Sequence, residues 1–113
     1  MKLSHIIEKI NCDLLTEPGP DPEITSCLAS DMMSDVLAFS VPGALLITGL
    51  VNSQSVRTAD VADAAAILYV RGKLPDEKTI ELAGELDIPL LATQMTMFDV
   101  CGMLHCEGFE GAC

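Results

Sequence analysis

The chain predicts an α/β fold, three layers deep, with a mostly parallel sheet between two layers of helices. Three observations lead there. Apolar runs without alternation, Ala44 to Thr48, Ala65 to Val70 and Ile88 to Thr93, suit strands covered on both faces. The stretches between them place apolar residues at helical spacing. Strand and helix then alternate, which favours parallel pairing through right-handed crossovers that pack back onto the sheet.

Taken in order, Lys2 to Ile10 carries Leu3, Ile6, Ile7 and Ile10 on one helical face, with Glu8 and Lys9 outward. Cys12 to Leu15 is a short candidate strand, able to pair antiparallel at an edge. Glu17 to Glu23 holds three prolines in seven residues and is a loop with acidic ends. Glu23 to Leu28 is a second candidate strand. Ser30 is a fit N-cap with Asp31 in the first turn, and Met32, Met33, Val36 and Leu37 form the apolar face of the helix that follows. Pro42-Gly43 ends it, and Ala44 to Thr48 is read as the central strand. Asn52 and Ser53 are candidate caps for a helix running to Ala64. Pro75-Asp76-Glu77 begins the next helix, with Ile80, Ala83 and Leu86 inward and Asp87 at its end. Thr96 to Asp99 fits a capping box variant before a last helix whose apolar stripe is Met97, Val100, Cys101 and Leu104.

Composition narrows the function classes. A chain of 113 residues is expected to be one domain. Its mean hydropathy of +0.40 is high for a small chain, so a homo-oligomer is expected, with a dimer favoured. Seventeen acids against six bases, a formal charge of -11, oppose nucleic acid and anionic membranes as partners. Glu8 and Lys9 interrupt the amino-terminal apolar stretch, so no signal peptide is expected. The uncharged run Val36 to Val56 is broken by Pro42, Gly43 and Asn52, short of the ~20 apolar residues a span needs. Five cysteines, an odd number, fit reduced thiols in the cytoplasm.

The run Ala-Ser-Asp-Met-Met-Ser-Asp-Val-Leu ending at Leu37, followed by Pro-Gly-Ala-Leu-Leu-Ile-Thr-Gly ending at Gly49, resembles the DRTGG-domain family. The resemblance continues through Arg71 to Glu77, Ile88 to Thr93 and the final helix, and so covers nearly the whole chain. It implies a small α/β module, similar to stand-alone proteins labelled as HPr serine kinase relatives. It also implies kinship with the DRTGG domain of some phosphate acetyltransferases and with the N-terminal domain of HPr kinase/phosphorylase. No literal Asp-Arg-Thr-Gly-Gly is present; the nearest text is Val56-Arg57-Thr58-Ala59-Asp60, which makes Arg57 the signature candidate.

In parallel sheets ligands bind beyond the carboxyl ends of the strands, near a switch in strand order, with helix N-termini aimed at them. The strand ends here are Thr48-Gly49 followed by Asn52-Ser53, then Arg71-Gly72-Lys73, then Thr93-Gln94 followed by Thr96. They offer glycine backbone, hydroxyls, an amide and two of the six cations. The expected ligand is a small anion, a nucleotide or phosphorylated metabolite, held by Arg71, Lys73 and the Thr96 helix terminus. A protein partner is the other occupant considered. Arg57 either joins that rim or pairs with Asp60 or Asp63, with the pairing preferred.

A second reading takes Cys101, His105, Cys106 and Cys113 as a metal or redox cluster, since three thiols and an imidazole can hold zinc or part of an iron–sulfur cluster. Against it, Cys101 lies on the apolar stripe, where a thiol acts as a small hydrophobe. No phosphate loop, nucleophile elbow or zinc-peptidase motif is present, and the two histidines lie near opposite ends. No catalysis is predicted and the cofactor question is left open; the chain reads as a regulatory or ligand-sensing module.

Overall fold

The computed structural model describes residues 1–111. Its elements are α1 (Leu3–Ile10), β1 (Asp13–Leu14), β2 (Ser26–Ala29), α2 (Met33–Phe39), β3 (Ala44–Thr48), α3 (Ser53–Val61), β4 (Ala66–Tyr69), α4 (Glu77–Glu85), β5 (Leu90–Ala92) and α5 (Met97–Cys106). The sheet runs β1-β5-β4-β3-β2, parallel throughout except for β1, which pairs antiparallel with β5 at one edge. β4 is therefore central, not Ala44 to Thr48, because β2 adds only one strand outside β3 while β5 and β1 add two beyond β4.

Side-chain alternation along the strands divides the core in two. Leu45, Ile47, Leu68 and Val70 face α1 and α5, against Leu3, Ile6, Ile10, Val100 and Leu104. Leu46, Ile67 and Tyr69 face the other way, toward Met33 and Val36 of α2, Val56 and Ala59 of α3 and Ala83 of α4. This is a three-layer α/β/α arrangement. Each fully buried Leu or Ile here contributes roughly 1.5–3 kcal/mol relative to exposure.

The parallel strands follow one another in chain order, so no switch in strand order exists. The switch is one of face. β4 is followed by α4 on one side of the sheet and β5 by α5 on the other. The helices that follow these two neighbouring strands therefore lie on opposite faces of the sheet.

Helix α2 departs most from its sequence pattern. Met33 and Val36 are buried, but Met32 and Leu37 are 61% and 53% exposed. The helix covers the edge strand β2, so only a narrow strip of sheet lies beneath it, and it starts late. The Ser30 hydroxyl accepts from Met32 N at 3.0 Å in a turn before the helix, and the N-cap is Met32, which makes no side-chain cap bond. In α4 the buried positions are Thr79 and Ala83, with Ile80 and Leu86 half-buried against the same core; Asp76 rather than Pro75 occupies the cap, and its carboxylate accepts from Thr79 N. Among the described residues no helix is long and apolar enough to cross a membrane.

Candidate functional site

Parallel register brings the carboxyl ends of β2, β3, β4 and β5 to one edge, with Thr48 opposite Tyr69 and Tyr69 opposite Ala92. The residues beyond those ends form a rim. Val70 to Lys73 closes a tight turn in which Lys73 N donates to Val70 O at 3.3 Å. Arg71 and Gly72, its two central residues, both have positive φ, +61° and +71°, the sign pattern of a type I′ turn. Glycine accepts that region freely; arginine pays a steric cost of about 1–2 kcal/mol there. The turn is tied to the next rim loop by Arg71 N to Met95 O at 2.8 Å and Gly72 N to Thr93 O at 2.9 Å. Gln94 stands against Gly72, its amide oxygen 2.6 Å from where a Cβ would be.

At the other end of the rim Asp31, just past β2, reaches across to β3. Its Oδ1 accepts from Gly49 N at 2.6 Å and from the buried Thr48 hydroxyl at 3.0 Å. Thr48 Oγ1 accepts in turn from Leu50 N at 3.1 Å. A point one Cβ bond out from Gly49 lies 3.2 Å from Arg71 Nη2 and 3.4 and 3.6 Å from the two Asp31 oxygens. Cation and carboxylate thus flank one bare glycine, yet among the described residues neither is in an ion pair. The Gly49 N–H bond, then the Thr48 hydroxyl and the charges of Arg71 and Lys73, hold the Asp31 carboxyl below its ordinary range despite some burial.

The helix starts around the rim differ. Asp76 caps α4 and Thr96 caps α5, its hydroxyl accepting from Asp99 N at 3.2 Å. Asn52, at the N-cap of α3, makes no side-chain cap bond, and α3 has no acid in its first turn. Instead Asn52 O accepts from Ser55 Oγ at 2.7 Å, and Ser55 Oγ lies 2.8 Å from the Tyr69 hydroxyl in the core. With the single serine hydrogen given to Asn52, Tyr69 is the donor to Ser55. Ser53 is exposed beside Asn52.

The structure therefore gathers Thr48, Gly49, Arg71, Gly72, Lys73, Thr93 and Gln94 along one edge, with Asn52 and Ser53 heading α3 after β3 and Thr96 heading α5 after β5. Arg57 stands apart. It is exposed on α3 and makes no ion pair with Asp60 or Asp63. Arginine three residues before aspartate is the weaker orientation on a helix, and Asp63 lies past the helix end at φ +56°. Asp31 is the rim residue the sequence did not reveal, because an acid after Ser30 looks like part of a helix start. Its signal is an acid at the carboxyl end of one strand beside a glycine at the end of the next.

The cysteines give little support to a metal centre. Burial pushes Cys12 up to about 11 and Cys27 up to about 12, and raises Cys101. These thiols hold their protons at neutral pH. Cys106 and His105 are exposed, and Cys113 lies outside the described residues. Among the described residues no three His, Cys, Asp or Glu side chains come together as a metal site. Two concavities, of about 420 and 540 Å³, lie beside the proline-rich loop and between α5 and β2; neither is lined by a rim residue.

The fold has a solved counterpart. The crystal structure of the CBS and DRTGG domains of the regulatory region of Clostridium perfringens pyrophosphatase, complexed with its activator diadenosine tetraphosphate, is similar with a TM-score of 0.70 at 15% identity. The similarity covers 90% of this chain and 45% of that one, so the chain spans about half the neighbour's length. At that identity the likeness shows the fold alone, a DRTGG/CBS-like one. No family model matches the chain, and no curated protein does.

Proposed function

We propose that this protein is a non-catalytic regulatory module of the DRTGG kind that senses a small anionic ligand, a nucleotide or phosphorylated metabolite, at the carboxyl rim of its sheet. The observation that carries the reading is Arg71. A cation in a chain of charge -11 sits in a strained turn, lies against the bare backbone of Gly49 and takes no ion-pair partner among the described residues. Strain held at such a place is a pointer to function. Lys73 follows it on the same turn, and the nearby start of α3 leaves its first-turn N–H groups free of any side-chain cap. A nucleotide-bound regulatory region of the same fold supports the ligand class. Loading would act by favouring one conformational or assembly state, since a ligand shifts an equilibrium only through differential affinity. The homo-oligomer expected from composition belongs to the same proposal, and the exposed Met32, Leu37 and Phe39 of the α2 region support it.

A thermal-melt screen of nucleotides and sugar phosphates tests this. At one hundred times Kd a ligand adds about 2.7 kcal/mol. With an unfolding entropy of roughly 2.1 cal/mol/K per residue, that raises Tm by about 11 °C for 113 residues. Arg71→Ala is expected to remove the shift. A screen with no stabilisation, or a shift unchanged in Arg71→Ala, overturns the proposal.

A further inference from the structure

We infer that the rim reads a ligand carrying a hydroxyl group beside its phosphate, a phosphate ester of a sugar or polyol, and that Asp31 is the residue that reads the hydroxyl. The inference rests on the anion-binding function proposed above and adds the chemistry of the ligand's other half. A site built only for a phosphate needs donors: guanidinium, ammonium and backbone N–H. A carboxylate there repels the ligand unless the ligand itself donates to it. Asp31 supplies such a carboxylate, kept in its charged form by Gly49 N–H, Thr48 and the two neighbouring cations.

Its second oxygen is surplus to the hydrogen bonds that hold the fold. The tie between β2 and β3 uses Oδ1 alone, which takes both the Gly49 N–H and the Thr48 hydroxyl. Oδ2 accepts no hydrogen bond among the described residues. An asparagine carbonyl could make the same two bonds without bringing a negative charge beside Arg71. The geometry also keeps Asp31 and Arg71 apart while aiming both at one place. Nη2 and Oδ2 are 3.2 and 3.6 Å from the same point above Gly49, without closing into an ion pair. Gly49 keeps that point open, and its φ is not positive, so conformation does not demand glycine there. An acceptor oxygen facing Arg71 and a hydroxyl facing Oδ2, a few ångströms apart, match a phosphate ester with a neighbouring hydroxyl. Free phosphate could offer a protonated oxygen to Asp31 instead, so it is among the probes.

Calorimetry on the full chain decides the matter with two matched pairs, adenosine 3′-phosphate against 2′-deoxyadenosine 3′-phosphate and glycerol 3-phosphate against propyl phosphate, plus inorganic phosphate. For at least one pair the hydroxylated member is expected to bind tenfold or more tightly than its partner. In Asp31→Asn that ratio is expected to fall to near one, with the deoxy member bound no more weakly than before. In Gly49→Ala both members weaken, because the added methyl enters the space between Arg71 and Asp31. Equal binding within both pairs by the unaltered chain, a ratio kept in Asp31→Asn, or inorganic phosphate bound more tightly than any ester overturns the inference and leaves the anion site standing. No binding of any probe removes both.

Discussion

Replacing Arg71 by glycine separates the demands of the fold from those of the ligand. Arg71 has φ +61°, and its side chain is exposed with no ion pair among the described residues. The left-handed region costs a non-glycine residue about 1–2 kcal/mol, while glycine loses roughly 0.5–1 kcal/mol more backbone freedom on folding. The difference favours Arg71→Gly by about 0.5–1 kcal/mol. Over 113 residues, at roughly 2.1 cal/mol/K each, the melting temperature is expected to rise about 2–4 °C without ligand. Arg71→Asn, a residue that tolerates the same conformation, is expected to fall between the two. Calorimetric melts of the three proteins, alone and with the best ligand from the screen, supply the assay. The glycine variant should be the most stable when empty and should gain nothing from ligand. A lower melting temperature for Arg71→Gly refutes the reasoning, since it means the side chain holds the rim together.

Asp31→Ala leaves Gly49 N–H and the buried Thr48 hydroxyl without their acceptor; a loss of about 1–3 kcal/mol in denaturant unfolding is expected, against a much smaller loss in Asp31→Asn. Because the Asp31 carboxyl titrates below its ordinary value, its contribution to stability is present above pH 3.8 and fades as pH falls through the lowered folded value. Asp31→Asn should therefore show a flatter acid limb in stability against pH. Tyr69 is the only tyrosine, and burial raises its pKa above 10 in spite of the bond to Ser55. Its phenolate absorbance should appear later in the folded than in the urea-unfolded chain, and stability should fall as pH climbs above 10, where the unfolded state releases the proton first. Tyr69→Phe is expected to cost about 1 kcal/mol, with Ser55→Ala costing less in that background than alone. Gly72→Ala should cost about 1–2 kcal/mol from its positive φ, and adding Gln94→Ala should restore only the part due to the Gln94 contact, read by the same unfolding curves.

The three interior strands were legible because Leu45, Leu46 and Ile47, or Ile67, Leu68 and Tyr69, leave no polar side for solvent. Their neighbours follow from the short connections. Edge elements were harder to read. The pattern Met32, Met33, Val36 and Leu37 holds no sign that only a narrow strip of sheet lies below, so two of the four are exposed. The rim was legible as a set of strand ends, since Thr48-Gly49, Arg71-Gly72 and Thr93-Gln94 each follow an apolar run. How those ends are joined was not: Asp31 crosses to β3 and Arg71 N bonds Met95 O through tertiary contacts that no local spacing encodes. Arg57 illustrates the converse, a motif neighbour whose nearby acids suggested a pair that the helix geometry does not make.

The sheet's last seam joins the two ends of the chain's timetable. Asp13 pairs with Ala92 and Leu14 with Leu91, while β3, β4 and β5 each pair with the strand made just before it. Strands β2 through β5 can pair in chain order, whereas β1 has no partner until β5 is in place; α1 is held meanwhile to the segment before β2 by Leu3 N to Pro22 O and Ile24 N to Met1 O. Strand β1 is then the last of the five able to join the sheet, and α5 packs over the same face as α1.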